Sequence, residues 1–361
     1  MTRKQAMAAG LLGVCLACAA LSPARALDNP RLDGIRPLGM GNAFLAVCDD
    51  RNALYTNPAG LSRIGGLGIS GLGFLGGVDA EFLSLADFIR NNSDRLSGDT
   101  PVDNEFHESL APYDDRWVSV DANAYTDVTM RGFGAGVFTT GSVSVRIDRG
   151  VYEPRVYAEV SDDLVAVVGA ALPGKWHGFT AGATAKGIWR RNSSRALRAT
   201  ELADFDAAEI ASELESSANG FGMDFGLLWN QPRSRVSAAA VLRDAVGVVG
   251  GEAIGASLDF GLAYRPLRGS LGIVRDIVLA ADFRDAMRTE VAPGNRLDLG
   301  AELKIPFVSF RGGVHQGYPT AGIGVHAFIF SLDYAFAGRE LGTHPGADGQ
   351  YMHYLEMRIG G

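Results

Sequence analysis

The side chains best placed to do chemistry are acids and bases spaced evenly through apolar surroundings. Asp224, Asp259, Asp282, Arg284, Asp298, Glu302 and Lys304 recur along the C-terminal half, with Arg265, Arg311 and Asp333 among them. Neighbouring carboxylates can act as general acid and base. Charges on every second residue of a strand can instead line a polar interior, where they are solvated or paired. The second reading is the stronger one, since no Gly-x-Ser-x-Gly nucleophile elbow accompanies them, and no enzyme is expected. The histidines His107, His177, His315, His326, His344 and His353 show no zincin spacing, and Cys48 is the one cysteine after residue 26. Neither a metal centre nor a cofactor is therefore expected. Gly66-x-Gly68-x-x-Gly71 matches the dinucleotide fingerprint but does not open a helix in a βαβ unit, so close backbone approach explains it better.

Strands must position these charges. Leu297, Leu299, Ala301, Leu303 and Ile305 share one face, and Asp298, Gly300, Glu302 and Lys304 the other. The same period of two runs through Phe221 to Asn230, Leu258 to Tyr264, Phe330 to Phe336 and Tyr351 to Ile359. Further candidates lie at 66–78, 116–126, 129–139, 142–148, 151–160, 163–171 and 178–190. After mergers, about 12–16 strands are expected. Alternation does not say which face is inside. A soluble barrel buries the apolar face, and a membrane barrel turns it to lipid. Trp229, Tyr264, Tyr334 and Tyr354 near strand ends suit interfacial girdles. Two segments read as helix instead: Asp79 to Leu96 and the Ala/Glu-rich Leu197 to Ala218. Residues 97–115 read as an exposed polar loop.

The first 26 residues read as an export leader, with Arg3 and Lys4, an apolar stretch from Ala6 to Leu21, and Ala24-Arg25-Ala26 as the cleavage pattern. Without them the balance is 30 basic against 41 acidic residues, which argues against a nucleic-acid partner. No later run of 18 uncharged apolar residues exists, so a helical span is not expected, whereas β-strands of about 9–11 residues could cross a bilayer.

The densest motif precedes the strands. Gly39-Met40-Gly41 reads as a flexible turn, Asp49-Asp50 as a polar break, and Asn57-Pro58-Ala59-Gly60 as a turn capped by its asparagine. Leu38 to Phe44, Ala46 to Asp50 and Ala53 to Leu61 together resemble the entry signature of FadL-type outer-membrane barrels, the long-chain fatty-acid transporters, with PorV-like and TraF-annotated proteins sharing it. Gly313 to Tyr318, Thr320 to Val325, Leu332 to Phe336 and Glu340 to Gly342 are similar to the closing strands of PorV-like members.

The resemblance implies an all-β transmembrane antiparallel barrel of about fourteen strands with an N-terminal hatch and short helical loop segments. The expected organisation is a leader at 1–26, a hatch at 27–65 and a barrel at 66–361. It also implies residence in the outer membrane and passage of hydrophobic small molecules, fatty-acid-like or aromatic. The alternative is a non-transporting accessory role beside secretion, surface-attachment or conjugation components. Of 47 glycines, several alternate with charges, as at Gly222, Gly226, Gly261 and Gly300. Such residues make room inside a barrel, which points to a filled lumen.

Overall fold

The computed structural model describes residues 31–92, 103–150, 155–176, 178–198, 216–231, 233–267 and 269–360. The leader and its cleavage pattern lie outside the described residues. Fourteen antiparallel strands form the wall among those described: β1 Gly68–Asp79, β2 Trp117–Met130, β3 Phe133–Asp148, β4 Arg155–Trp176, β5 Phe179–Arg198, β6 Ser216–Gln231, β7 Val236–Val249, β8 Ser257–Tyr264, β9 Asp276–Phe283, β10 Leu297–Ile305, β11 Val308–His315, β12 Tyr318–Ala327, β13 Phe330–Glu340 and β14 Gly349–Gly360. Each pairs with its sequence neighbours, and β1 pairs with β14, so the sheet closes and leaves no open edge. A two-residue stub, Glu252–Ala253, folds back onto β7.

Two mergers occur among the sequence candidates. Segments 142–148 and most of 129–139 form β3, and 163–171 with the described part of 151–160 fall in β4. Among the described residues four helices lie outside the wall: α1 Ile35–Gly39, α2 Ala53–Thr56, α3 Phe82–Asn91 and α4 Asn104–Ser109. Helix α3 falls inside the segment expected to be helical. Helix α4 corrects the loop expected at 97–115: Asp103 caps its N-terminus by accepting from the Phe106 amide at 2.8 Å, and Phe106 anchors it by burial. Of the helix expected over 197–218, the ends belong to β5 and β6, and its middle lies outside the described residues.

The alternation resolves in the membrane sense. Phe260 is 45% exposed, while its neighbour Asp259 is fully buried. The same contrast separates Leu297 and Leu299 from Asp298, and Phe225 and Leu227 from Asp224. An apolar exterior over a polar interior is the arrangement of a barrel in lipid, because only there does the outer face escape water. No helix of the described residues is long and apolar enough to cross a membrane. Tyr354 departs from the girdle expectation, since it points inward and is buried.

The two ends differ. One carries short connections between β2 and β3, β4 and β5, β6 and β7, β10 and β11, and β12 and β13. The other carries the long β1–β2 connection with α3 and α4. There Leu85, Phe106, Leu110, Val118, Ile147 and Val156 form an apolar cluster of their own. In membrane barrels the short turns face the periplasm.

Candidate functional site: a plug locked to the wall

The segment from Leu32 to Ile64 fills the lumen. Its run from Ala43 to Cys48 is fully buried, as are Met40, Ala59 and Leu61, and these side chains pack with wall residues such as Val165, Ile188 and Val241. The local sequence explains its compact path. Gly41 adopts φ of +60°, where a side chain would strain the backbone. A Cβ there would also sit 2.3 Å from the Leu299 carbonyl oxygen. Asn57 closes the second turn: its Oδ1 accepts from the Ala59 amide at 3.1 Å, and its Nδ2 donates to the Leu45 carbonyl at 2.9 Å. Pro58 then starts the 3-10 turn Pro58–Arg63, where the missing amide hydrogen costs nothing.

Glycines on the inner wall receive this segment. A Cβ on Gly300 would lie 2.2 Å from the Met40 carbonyl oxygen, and one on Gly226 would lie 2.1 Å from Asn57 Oδ1. Gly261 faces Leu45 in the same way, whereas Gly222 faces the Lys186–Asp244 pair instead. The glycine excess therefore serves close backbone packing between plug and wall at several of the positions where the sequence alternates glycine with charge.

Ion pairs hold the plug in register. The Arg36 guanidinium donates to Glu302 on β10 through Nε at 2.9 Å and Nη2 at 2.6 Å, a bidentate contact. Its Nη1 donates to Asp49 at 2.6 Å and Asp50 at 2.8 Å, so one side chain ties both parts of the plug to the wall. Glu302 also accepts from Arg311 at 3.0 Å, with Lys304 at 3.4 Å, and Arg311 reaches Asp333 at 2.6 Å. Arg265 pairs with Asp49 as well. Burial would raise the Asp49 carboxyl, but Arg36, Lys304 and Arg265 outweigh that effect and hold it well below the usual carboxylate range.

A second anchor is Arg51, which bonds Asp127 at 2.8 Å and Glu356 at 3.3 Å and lies over the Tyr125 ring. Glu356 in turn accepts from the Ile35 amide and the Tyr125 hydroxyl. On the opposite wall Asp282 accepts from the Phe44 and Leu45 amides at 2.7 and 2.9 Å. Arg284 donates to the Asn42 carbonyl and pairs with Asp298 at 2.9 Å, which also holds His315 at 2.7 Å. Asp259 is bound by Arg243, whose other arm reaches the Tyr55 carbonyl. Asp224 stands apart, with Lys186 at 3.0 Å and, among the described residues, no bonding partner in the plug.

Six of the seven charges singled out from sequence are thus buried, and Lys304 is partly exposed toward a cavity of about 360 Å³ at the short-turn end, whose lining includes Arg36, Arg51, Glu302, Arg311 and Arg358. Arg36 and Arg51 were not singled out: Arg36 stands two residues before the signature, and Arg51 lies between two of its stretches. Lone arginines in a turn-rich segment give no local sign of a partner hundreds of residues away. The free thiol of Cys48 is buried beside Gly60, and burial, with the Asp50 and Asp282 charges, pushes it well above its ordinary value.

The chain is a closed fourteen-stranded antiparallel barrel with its own N-terminal segment folded into the lumen, the architecture implied by the FadL-type resemblance. No family model matches the chain, and no curated protein matches it either. The Pseudomonas putida toluene transporter TodX superposes with a TM-score of 0.55 at 12% identity, over 93% of this chain and 98% of TodX. A TodX deltaS2S3 mutant, described as a monoaromatic hydrocarbon channel, gives 0.56 at 13% identity over 91% and 98%. At such identity the likeness is one of fold.

Proposed function

We propose that this barrel resides in the bacterial outer membrane and passes hydrophobic small molecules, fatty-acid-like or aromatic, by a local shift of its plug. The observation that carries this reading is the plug itself: a largely apolar segment that fills the lumen, packs against the wall and is fixed to it by ion pairs. A general water-filled pore has no use for such a stopper. The fold shared with a toluene transporter supports the same reading.

In this scheme a ligand arrives from the long-loop end, past the apolar cluster under α3 and α4. It meets apolar plug residues and leaves after Gly39–Gly41 and Asn57–Gly60 shift. Asp49 and Asp50 hold the closed position through Arg36, and Asp282, Arg284, Asp298, Glu302 and Lys304 are its counterparts on or beside the wall. Asp224 and Asp259 brace the wall itself. Purified protein in liposomes, offered labelled fatty acids and monoaromatics, tests the reading. Saturable uptake of either class is expected, and its absence with a correctly folded barrel overturns it. The accessory role beside secretion or conjugation components draws no support from the fold neighbours. A stable stoichiometric partner co-purifying from native membranes would favour that role.

A further inference from the structure

We infer that the short turns on one side of the barrel are immersed in the periplasmic leaflet and complete an apolar belt that the strands there are too short to span. Strands β8, β9 and β11 have 8 residues each and β10 has 9, whereas β4 and β5 across the barrel have 22 and 20. Eight residues at about 3.3 Å each, tilted by about 40°, rise about 20 Å, against an apolar band about 25 Å tall. The short side therefore lacks about 5 Å, roughly the height of a turn with large side chains.

The turns on that side have the composition to fill the gap. Phe307 joins β10 to β11, Phe328 and Ile329 join β12 to β13, and Leu271 and Ile273 stand in the β8–β9 connection. All five are exposed, Phe328 completely. Phe307 and Phe328 stand within three residues of the exposed, outward-facing Phe310 and Val325, and Ile329 is next to Phe330. Each turn is also tied to the neighbouring strand end: the His326 amide of β12 donates to the Phe307 carbonyl, and the Gly360 amide of β14 to the Ile329 carbonyl. At the same end, the β2–β3 turn across the barrel carries Arg131 and Gly132, and the β6–β7 turn beside the β8–β9 connection carries Arg233 and Ser234.

The backbone adds a second, independent sign. Phe307 and Phe328 hold φ of +64° and +54°. Glycine or asparagine takes that left-handed conformation far more readily than a bulky ring, so these turns keep phenylalanine against local preference. A periplasmic turn in water gains nothing from a fully exposed ring in such a conformation, whereas a ring at the acyl boundary is removed from water. Exposed Arg275, beside Ile273, is placed to meet lipid phosphate. Continuity with the lipid-facing wall selects phospholipid, rather than a second protein chain, as the occupant.

The test uses the full chain in phosphatidylethanolamine–phosphatidylglycerol vesicles, with a cysteine placed at Phe328, Ile273 or Ser234 and labelled with bimane. Lipids carrying an acyl-chain nitroxide should quench labels at 328 and 273 about threefold more than at 234, and aqueous iodide should show the reverse order. Equal iodide access at 328 and 234 overturns the proposal. Quenching by neither agent at 328 also overturns it, since a protein surface would then cover the patch. Phe307→Asn with Phe328→Asn keeps turn-compatible residues and so preserves folding. In that variant the nitroxide quenching at 273 should fall about threefold. Unchanged quenching there would show that the rings do not set the immersion depth.

Discussion

Replacing Arg36 by Met removes the guanidinium that joins Glu302 on the wall to Asp49 and Asp50 in the plug while retaining an unbranched side chain of similar length. Arg36 and Glu302 are both buried, so the pair lies in a region of low dielectric. Removing one partner of a buried pair costs about 3–5 kcal/mol, because the remaining charge is left without its counter-ion. Here Glu302 keeps Arg311 and Lys304, and Asp49 keeps Arg265, which places the cost at the lower end, about 3 kcal/mol. The wall is held by its own ladder of strand pairs, so the loss falls on the plugged state. Each 1.4 kcal/mol is tenfold in a ratio of states, so the unplugged fraction should rise by about two powers of ten. Single-channel recording in planar bilayers reads this directly as frequent openings of a barrel that is otherwise silent. Heat-modifiable migration on gels checks that the barrel itself has folded. A folded Arg36→Met barrel as silent as the parent would refute the view that this cluster holds the plug. A double-mutant cycle with Glu302→Gln should show coupling of about 1–3 kcal/mol, and strict additivity would assign the effect to other contacts.

Asn57→Ala removes both bonds that close the second plug turn and should raise conductance less than Arg36→Met does, by the equivalent of about 1–2 kcal/mol. Gly300→Ala places a methyl group 2.2 Å from the Met40 carbonyl oxygen and should force the plug away from β10, read as openings in the same recordings. The Cys48 thiol, buried and shifted upward by that burial, should resist maleimide in the parent protein and react in Arg36→Met, where plug motion exposes it. Asp49 is held below its unfolded value, so its contribution to closure is complete above about pH 4 and lost as the pH falls below that. Conductance should therefore match at pH 7 and pH 5 and rise at pH 3. A rise already at pH 5 would point to another titrating group.

Much of the architecture is a local property of the chain. A strand's side chains alternate because the backbone is pleated, so Leu297 to Ile305 or Phe221 to Asn230 declares itself within nine or ten residues. The turn chemistry of Gly39–Gly41 and Asn57–Gly60 is equally local, and glycines alternating with charges already pointed to a filled lumen. Helix α4 escaped notice because six residues with a single buried anchor give no usable period. The direction of the alternation was not readable either, since reversing inside and outside leaves a period of two unchanged. Closure of β1 onto β14 decides it, because a closed sheet has one inner face and the buried carboxylates occupy it.

The residues that lock the plug show the same division. Glu302 and Asp282 were visible as charges on an apolar strand. Their partners, Arg36 at a separation of 266 residues and the amides of Phe44 and Leu45 at more than 230, were not. By itself the sequence determined strands, turns, the places where backbones could approach, and which residues carry charge. Tertiary structure alone decided which charges meet, because pairing depends on how the wall curves around the plug. That curvature is set by the register of all fourteen strands together, and no short stretch of the chain encodes it.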